Sequence, residues 1–183
     1  MVLALLGGLG LIGAAAWTRP LMEAQQALND GQLDAARLHY ARAEVRFNQI
    51  AATRQAAPAL YHLSVDDQLF ILYKQGQYDN VLEKAAVSPS TAGVHFWAGC
   101  AAYQKALAEQ KVEGKLPWLG RAEDEFKKSV ELNRHDWDTK YNLEVAKRLS
   151  IELKKKPKAP PKQDLQLLRP QPKQTGEPVK RVG

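Results

Sequence analysis

The chain is short of the residues on which most enzymes and metal proteins rely. It has a single cysteine, Cys100, in 183 residues, which excludes an internal disulfide and a cysteine-based zinc site. Its four histidines, at 39, 62, 95 and 135, show no short metal-ligand spacing. No Walker-type phosphate loop (Gly-x4-Gly-Lys-Ser/Thr) and no nucleophile-elbow pattern occurs. Asn-Gly hairpin turns and sustained period-2 alternation are missing as well, which argues against a β-rich fold. No catalytic residue, cofactor or metal is expected, and these absences favour a non-catalytic protein.

Charge of one sign is missing from most of the chain. Residues 1–153 hold 17 Lys/Arg against 18 Asp/Glu, a balance of −1, whereas residues 154–183 hold nine against two, a balance of +7. The overall charge of +6 therefore belongs to the tail. A globular nucleic-acid binder spreads a basic patch over its folded face, and this body does not, so no nucleic-acid partner is expected.

Met1 to Thr18 carries no charged side chain, and Val2–Trp17 is apolar throughout before Arg19-Pro20 closes the run. Eighteen helical residues rise roughly 27 Å, enough for a hydrocarbon core with little tilt. Segment 1–18 reads as a transmembrane helix or signal-anchor. The alternatives are a signal peptide cleaved near Ala14-Ala15-Ala16 and a buried core helix. No Lys or Arg precedes the run, so the positive-inside comparison lacks its first term. A charge-poor start leading into an apolar stretch favours export of the C-terminal part of the chain.

From residue 19 to 153 the text is helical, rich in Ala, Leu, Gln, Glu, Lys and Arg. Breaks are expected at Asp30-Gly31, Pro58, Gln75-Gly76, Ser88-Pro89-Ser90, and Gly114 to Gly120 with Pro117. A helix pattern of Gly, apolar at +2, Ala at +5, aromatic at +9 and Ala at +12 runs through Gly31, Leu33, Ala36, Tyr40 and Ala43. Gly76, Tyr78, Val81, Ala85 and Ser88 match it more loosely. A third unit is split: Phe96, Trp97 and Gly99 belong to its first helix, and Ala122, Phe126 and Ser129 to its second, with the insertion EQKVEGKLPWLG between. Small residues at 31, 36, 99 and 122 are expected to let helices approach, with Tyr40, Tyr78 and Phe126 filling the gaps. A last helix, from Asp138 to near Leu153, caps the array.

These motifs resemble the tetratricopeptide repeat over about residues 21–153. The resemblance implies an all-α fold, a short antiparallel helix-pair solenoid preceded by one N-terminal transmembrane helix. Val94 to Leu149 resembles something narrower, through HFWAGCAAYQKAL, RAEDEFKKSVELN and HDWDTKYNLEVAKRL. It is similar to the membrane-anchored repeat proteins that accompany MoxR-type AAA ATPases and von Willebrand factor A proteins, including the type linked to methanol dehydrogenase maturation. Arg134, where a Pro is common, and the Pro/Lys-rich tail depart from that pattern. The resemblance implies a single-pass protein of the bacterial inner membrane, with a periplasmic repeat domain and protein partners.

In that register the first helix of each unit lines a concave groove. The second unit supplies Asp66, Asp67, Phe70, Tyr73 and Lys74; the third supplies Phe96, Trp97, Cys100, Tyr103 and Gln104; the cap supplies Asp138, Tyr141, Asn142 and Arg148. Aromatics with a few convergent charges suit capture of a peptide or a partner's helix. Each aromatic can equally be core. Asp136, Asp138 and Glu144 raise a calcium reading, but Lys140 falls at a ligand position and the loop glycine is absent; Asp136 fits a helix N-cap better. Cys100 is expected to be a buried, inert thiol. Glu123-Asp124-Glu125 with Lys127-Lys128 reads as a solvated helix face.

The tail, 154–183, has six prolines in thirty residues and reads as disordered and partly polyproline II. Its Lys154-Lys155-Lys156 run could meet anionic lipid, which leaves a polybasic lipid-binding protein as an alternative to the adaptor. A general envelope-assembly scaffold is another. Asp164-Leu165-Gln166-Leu167-Leu168-Arg169 is the tail's one apolar island.

Overall fold

The computed structural model describes residues 18–49 and 51–155, and among them there is helix and no strand. The expected anchor at 1–17 and the tail from 156 onward lie outside the described residues. No helix among the described residues is long and apolar enough to cross a membrane. In order the helices are α1 (18–29), α2 (Leu33–Gln49), α3 (Ala51–Ala56), α4 (Pro58–Lys74), α5 (Tyr78–Val87), α6 (Ala92–Ala108), α7 (Val112–Leu132) and α8 (Trp137–Lys155). α4 pairs with α5 and α6 with α7; α4 also packs along α2 and α6, and α8 closes on α7. Ala24 and Ala27 of α1 pack with Ala36 and Tyr40 of α2 and Ile71 of α4.

The first two hairpins turn in the same way. The Gln32 amide donates to Ala27 at 2.8 Å and Gln77 to Leu72 at 2.9 Å, five residues back in each case. Gly31 and Gly76 stand in these turns with φ of +72° and +71°, the left-handed cap that only glycine adopts cheaply. A Cβ on either would meet nothing within 4 Å. The close helix approach expected at Gly31 is therefore absent, and its role is backbone conformation instead. Close approach is real at Gly99, where an added Cβ would lie 2.7 Å from the Phe126 ring.

The third hairpin is longer. α4 starts 34 residues before α6, but α6 starts 45 before α8. α4 and α6 are equal at 17 residues, and the growth lies between α5 with 10 and α7 with 21. Measured from the small residues Ala36, Val81 and Ala122, α2 and α5 begin three residues earlier and α7 begins ten earlier. Those additional seven residues make about two turns, so the inward stripe keeps its phase to within about 20°. The break expected at Gly114–Gly120 is therefore absent, and the chain turns instead at Glu109–Lys111. Pro117, inside the helix, faces solvent and deprives only the Glu113 carbonyl of its amide. Helicity wins there because Val112, Leu116 and Leu119 pack with Ala106, Leu149 and Leu153.

The main core joins Val65, Leu69 and Leu72 of α4, Val81 and Leu82 of α5, and Ala98, Ala101 and Ala102 of α6 to Ala122 and Phe126 of α7 and Ala146 of α8. Burying a Leu or Phe side chain contributes about 1.5–3 kcal/mol. Polar bonds pin the junctions. Ser129 Oγ donates to the Ala92 carbonyl at 2.8 Å. Asp136 caps α8 as its sequence position suggests, accepting from the Thr139 amide at 3.1 Å and the Thr139 hydroxyl at 2.7 Å. Lys105 pairs with Asp79 and lies 4.5 Å over the Trp118 ring, joining α5, α6 and α7.

Candidate functional site

A recess of about 170 Å³ opens where α4, α6, α7 and α8 meet, lined by Tyr73, Cys100, Tyr103, Gln104, Phe126, Asn142 and Val145. Five of these stand among the groove residues read from the sequence, on three different helices. Phe126 and Val145 do not, because the repeat pattern assigns Phe126 to the core and gives Val145 no signal. Gln104 Nε2 donates to the Tyr73 hydroxyl at 3.1 Å, and Asn142 Nδ2 stands 3.9 Å from Cys100 Sγ. Burial pushes the Cys100 thiol up to about 12, so it is an inert thiol at neutral pH. Burial also raises Tyr73, against the bond from Gln104.

Beside the recess runs a train of rings. Phe70 and Tyr73 lie 5.3 Å and 5.5 Å from Trp97, and Phe96 meets Trp97 edge-on at 4.9 Å. All four are partly buried, as rings are when they serve a core and a surface together. Packing at these distances favours one fixed arrangement of the wall.

The charged members of the predicted groove scatter. Asp67 turns to α2 and accepts the Tyr40 hydroxyl. Asp66 lies so close to α6 that a Cβ on Gly93 would fall on its carboxylate, and its Oδ1 is buried without a hydrogen bond. Burial, then the charge of Asp67, push Asp66 up to about 6, against the pull of His62. Lys74 and Asp138 are exposed. Arg148 pairs with Glu144 at 3.0 Å along α8. Tyr141 is 70% exposed and, with Trp137 at 76%, leaves an aromatic edge on α8.

Sequence reasoning missed a second polar array. His95 places Nε2 2.8 Å from Ser90 Oγ and Nδ1 2.6 Å from Glu125 Oε2, and Lys128 Nζ reaches Glu125 at 3.1 Å. Glu125, read as part of a solvated face, is 17% exposed and turned inward. Burial opposes its ionisation, but the bonds from His95 and Lys128 outweigh that and hold its carboxyl below the usual range. Hydroxyl, imidazole and carboxylate stand in the order of a general-base relay. Lys128 shares the carboxylate, and these bonds tie the first turn of α6 to α7. Spacings of five and thirty residues give no sequence signal for it.

Among the described residues no group of three or more His, Cys, Asp or Glu side chains is placed to hold a metal ion. Comparison of the chain with protein-family models, with curated proteins and with solved structures finds no match.

Proposed function

We propose that this chain is a non-catalytic, membrane-anchored adaptor of the tetratricopeptide-repeat type, holding partner proteins on the face built by α4, α6 and α8. The observation that carries the reading is the recess, where side chains from α4, α6, α7 and α8 converge around space for one side chain. Pockets for small organic ligands run to roughly 300–1,000 Å³, so a site near 170 Å³ fits a side chain better than a metabolite. The repeat assignment is supported by the 34-residue step from α4 to α6, which is the period of that repeat. The two glycine turns and the buried Ala36, Tyr40 and Ala43 agree with it.

The narrower reading rests on the sequence resemblance of Val94–Leu149. In it the chain works with von Willebrand factor A proteins and an AAA ATPase in envelope complex assembly or enzyme maturation. The apolar segment at 1–18 anchors it in a bacterial inner membrane, and the repeats face the periplasm. Affinity purification from detergent-solubilised native membranes, with residues 154–183 present and deleted, tests this. Recovery of von Willebrand factor A proteins with both forms is expected. Recovery only with the tail present, lost steeply as salt rises, would favour the polybasic alternative.

A further inference from the structure

We propose that the recess between α4, α6 and α8 is a neutral anchor site that takes one uncharged side chain, of leucine or phenylalanine size, from a partner polypeptide. This rests on the adaptor reading and names the chemistry its partner must present. The volume of about 170 Å³ leaves room for one large side chain. None of the side chains lining it carries a charge at neutral pH: they are two phenols, a thiol, two carboxamides, one ring and one valine. Burial moves the thiol and the Tyr73 phenol still further above neutral pH. A cationic or anionic guest would lose hydration here without gaining a counter-charge. An apolar guest has no such hydration of its own to lose.

The polar groups on the wall keep hydrogen-bonding capacity for the guest's own backbone. Gln104 spends its Nε2 on Tyr73, which leaves its carbonyl oxygen to accept. Tyr73 accepts from Gln104, which leaves its own hydroxyl proton to donate. Asn142, whose Nδ2 has only the weak sulfur acceptor of Cys100, offers the same pair on the opposite wall. A peptide group crossing the mouth would find a donor and acceptors there, and its side chain would fill the space below. The charge-depleted centre with aromatic walls is the composition of an interface anchor pocket.

The test is selection of random 12-residue peptides displayed on phage against the full-length chain. Binding of the enriched peptides is then measured on Asn142→Phe, which fills the recess, and Gln104→Glu, which puts a charge in it. Leu38→Glu, on the exposed face of α2, is the control. Enriched peptides are expected to share one uncharged large residue, and to lose at least tenfold in affinity on both recess variants but not on the control. Thermal melts matched to wild type exclude misfolding as the cause. Peptides that keep their affinity on both variants, or that share a charged anchor, would overturn the neutral site while leaving the adaptor reading intact. Enrichment only after deletion of 156–183 would assign the recess to the chain's own tail and likewise overturn it. No enrichment, with partners still captured from membranes, would overturn the anchor alone; with none captured, both readings fall.

Discussion

The α4/α5 and α6/α7 hairpins share a first helix of 17 residues and differ in almost everything beyond it. The earlier hairpin turns on a left-handed glycine and ends its second helix after ten residues. The later one turns without a glycine and runs its second helix for 21, with the additional length before the shared motif worth about two turns. An insertion in whole turns leaves the buried stripe in phase, so Ala122 and Phe126 still meet α6. What is gained is a platform: Leu116 and Leu119 carry Leu149 and Leu153 of α8. α8 supplies one wall of the recess, so the longer α7 also supports that wall.

The largest effect that separates the hairpins should come from Phe126→Ala. The ring is 1% exposed and closes on Gly99, and its loss should cost about 3–5 kcal/mol by chemical denaturation. Leu119→Ala is next, at about 2–4 kcal/mol. Hydrogen exchange should then accelerate in α8 while amides of α4 and α5 stay protected. Uniform loss of protection would mean that the platform is not local to α7 and α8.

Glycine separates the hairpins by sign. Gly76→Ala should destabilise by about 1 kcal/mol through its positive φ. Gly120→Ala, inside α7 with open space around it, should stabilise by about 0.5–1 kcal/mol through helix propensity. Melting both variants checks the pair, and equal signs would break the comparison.

Asp66 gives an effect of similar size, with a pH signature. Its folded-state value near 6 exceeds the ordinary 3.8, so its contribution favours the fold below about pH 4 and is lost as pH rises through 6. Asp66→Asn should therefore stabilise at pH 8 by roughly 1 kcal/mol, discounted for partial exposure, and by almost nothing at pH 4. Denaturant titrations of both proteins at the two pH values check the sign.

Helix order and most turns are legible in the sequence because they depend on local chemistry: Asp30-Gly31 and Gln75-Gly76 end helices where expected, and Pro58 opens one after a break. Gly99 against Phe126 is legible too, since small and large residues at fixed offsets imply a close crossing. Pro117 misleads, because a proline one turn inside a helix reads as a break unless the apolar stripe around it is known to be covered. The site is half legible. Tyr73, Cys100, Tyr103, Gln104 and Asn142 share a face by register alone, whereas Asp67 is claimed by Tyr40 and Asp66 by the bare backbone at Gly93. Those are choices between neighbouring helices, which periodicity does not encode. Ser90, His95 and Glu125 meet only through tertiary packing.

The central claim, that the face of α4, α6 and α8 carries the partner, is tested most directly by site-specific photo-crosslinking in native membranes. Benzoylphenylalanine at Tyr103, on the wall of the recess, is compared with the same group at Leu38 on the exposed side of α2. The account predicts discrete protein adducts from position 103, von Willebrand factor A proteins among them, and none from position 38. Adducts from 38 with none from 103 would contradict it.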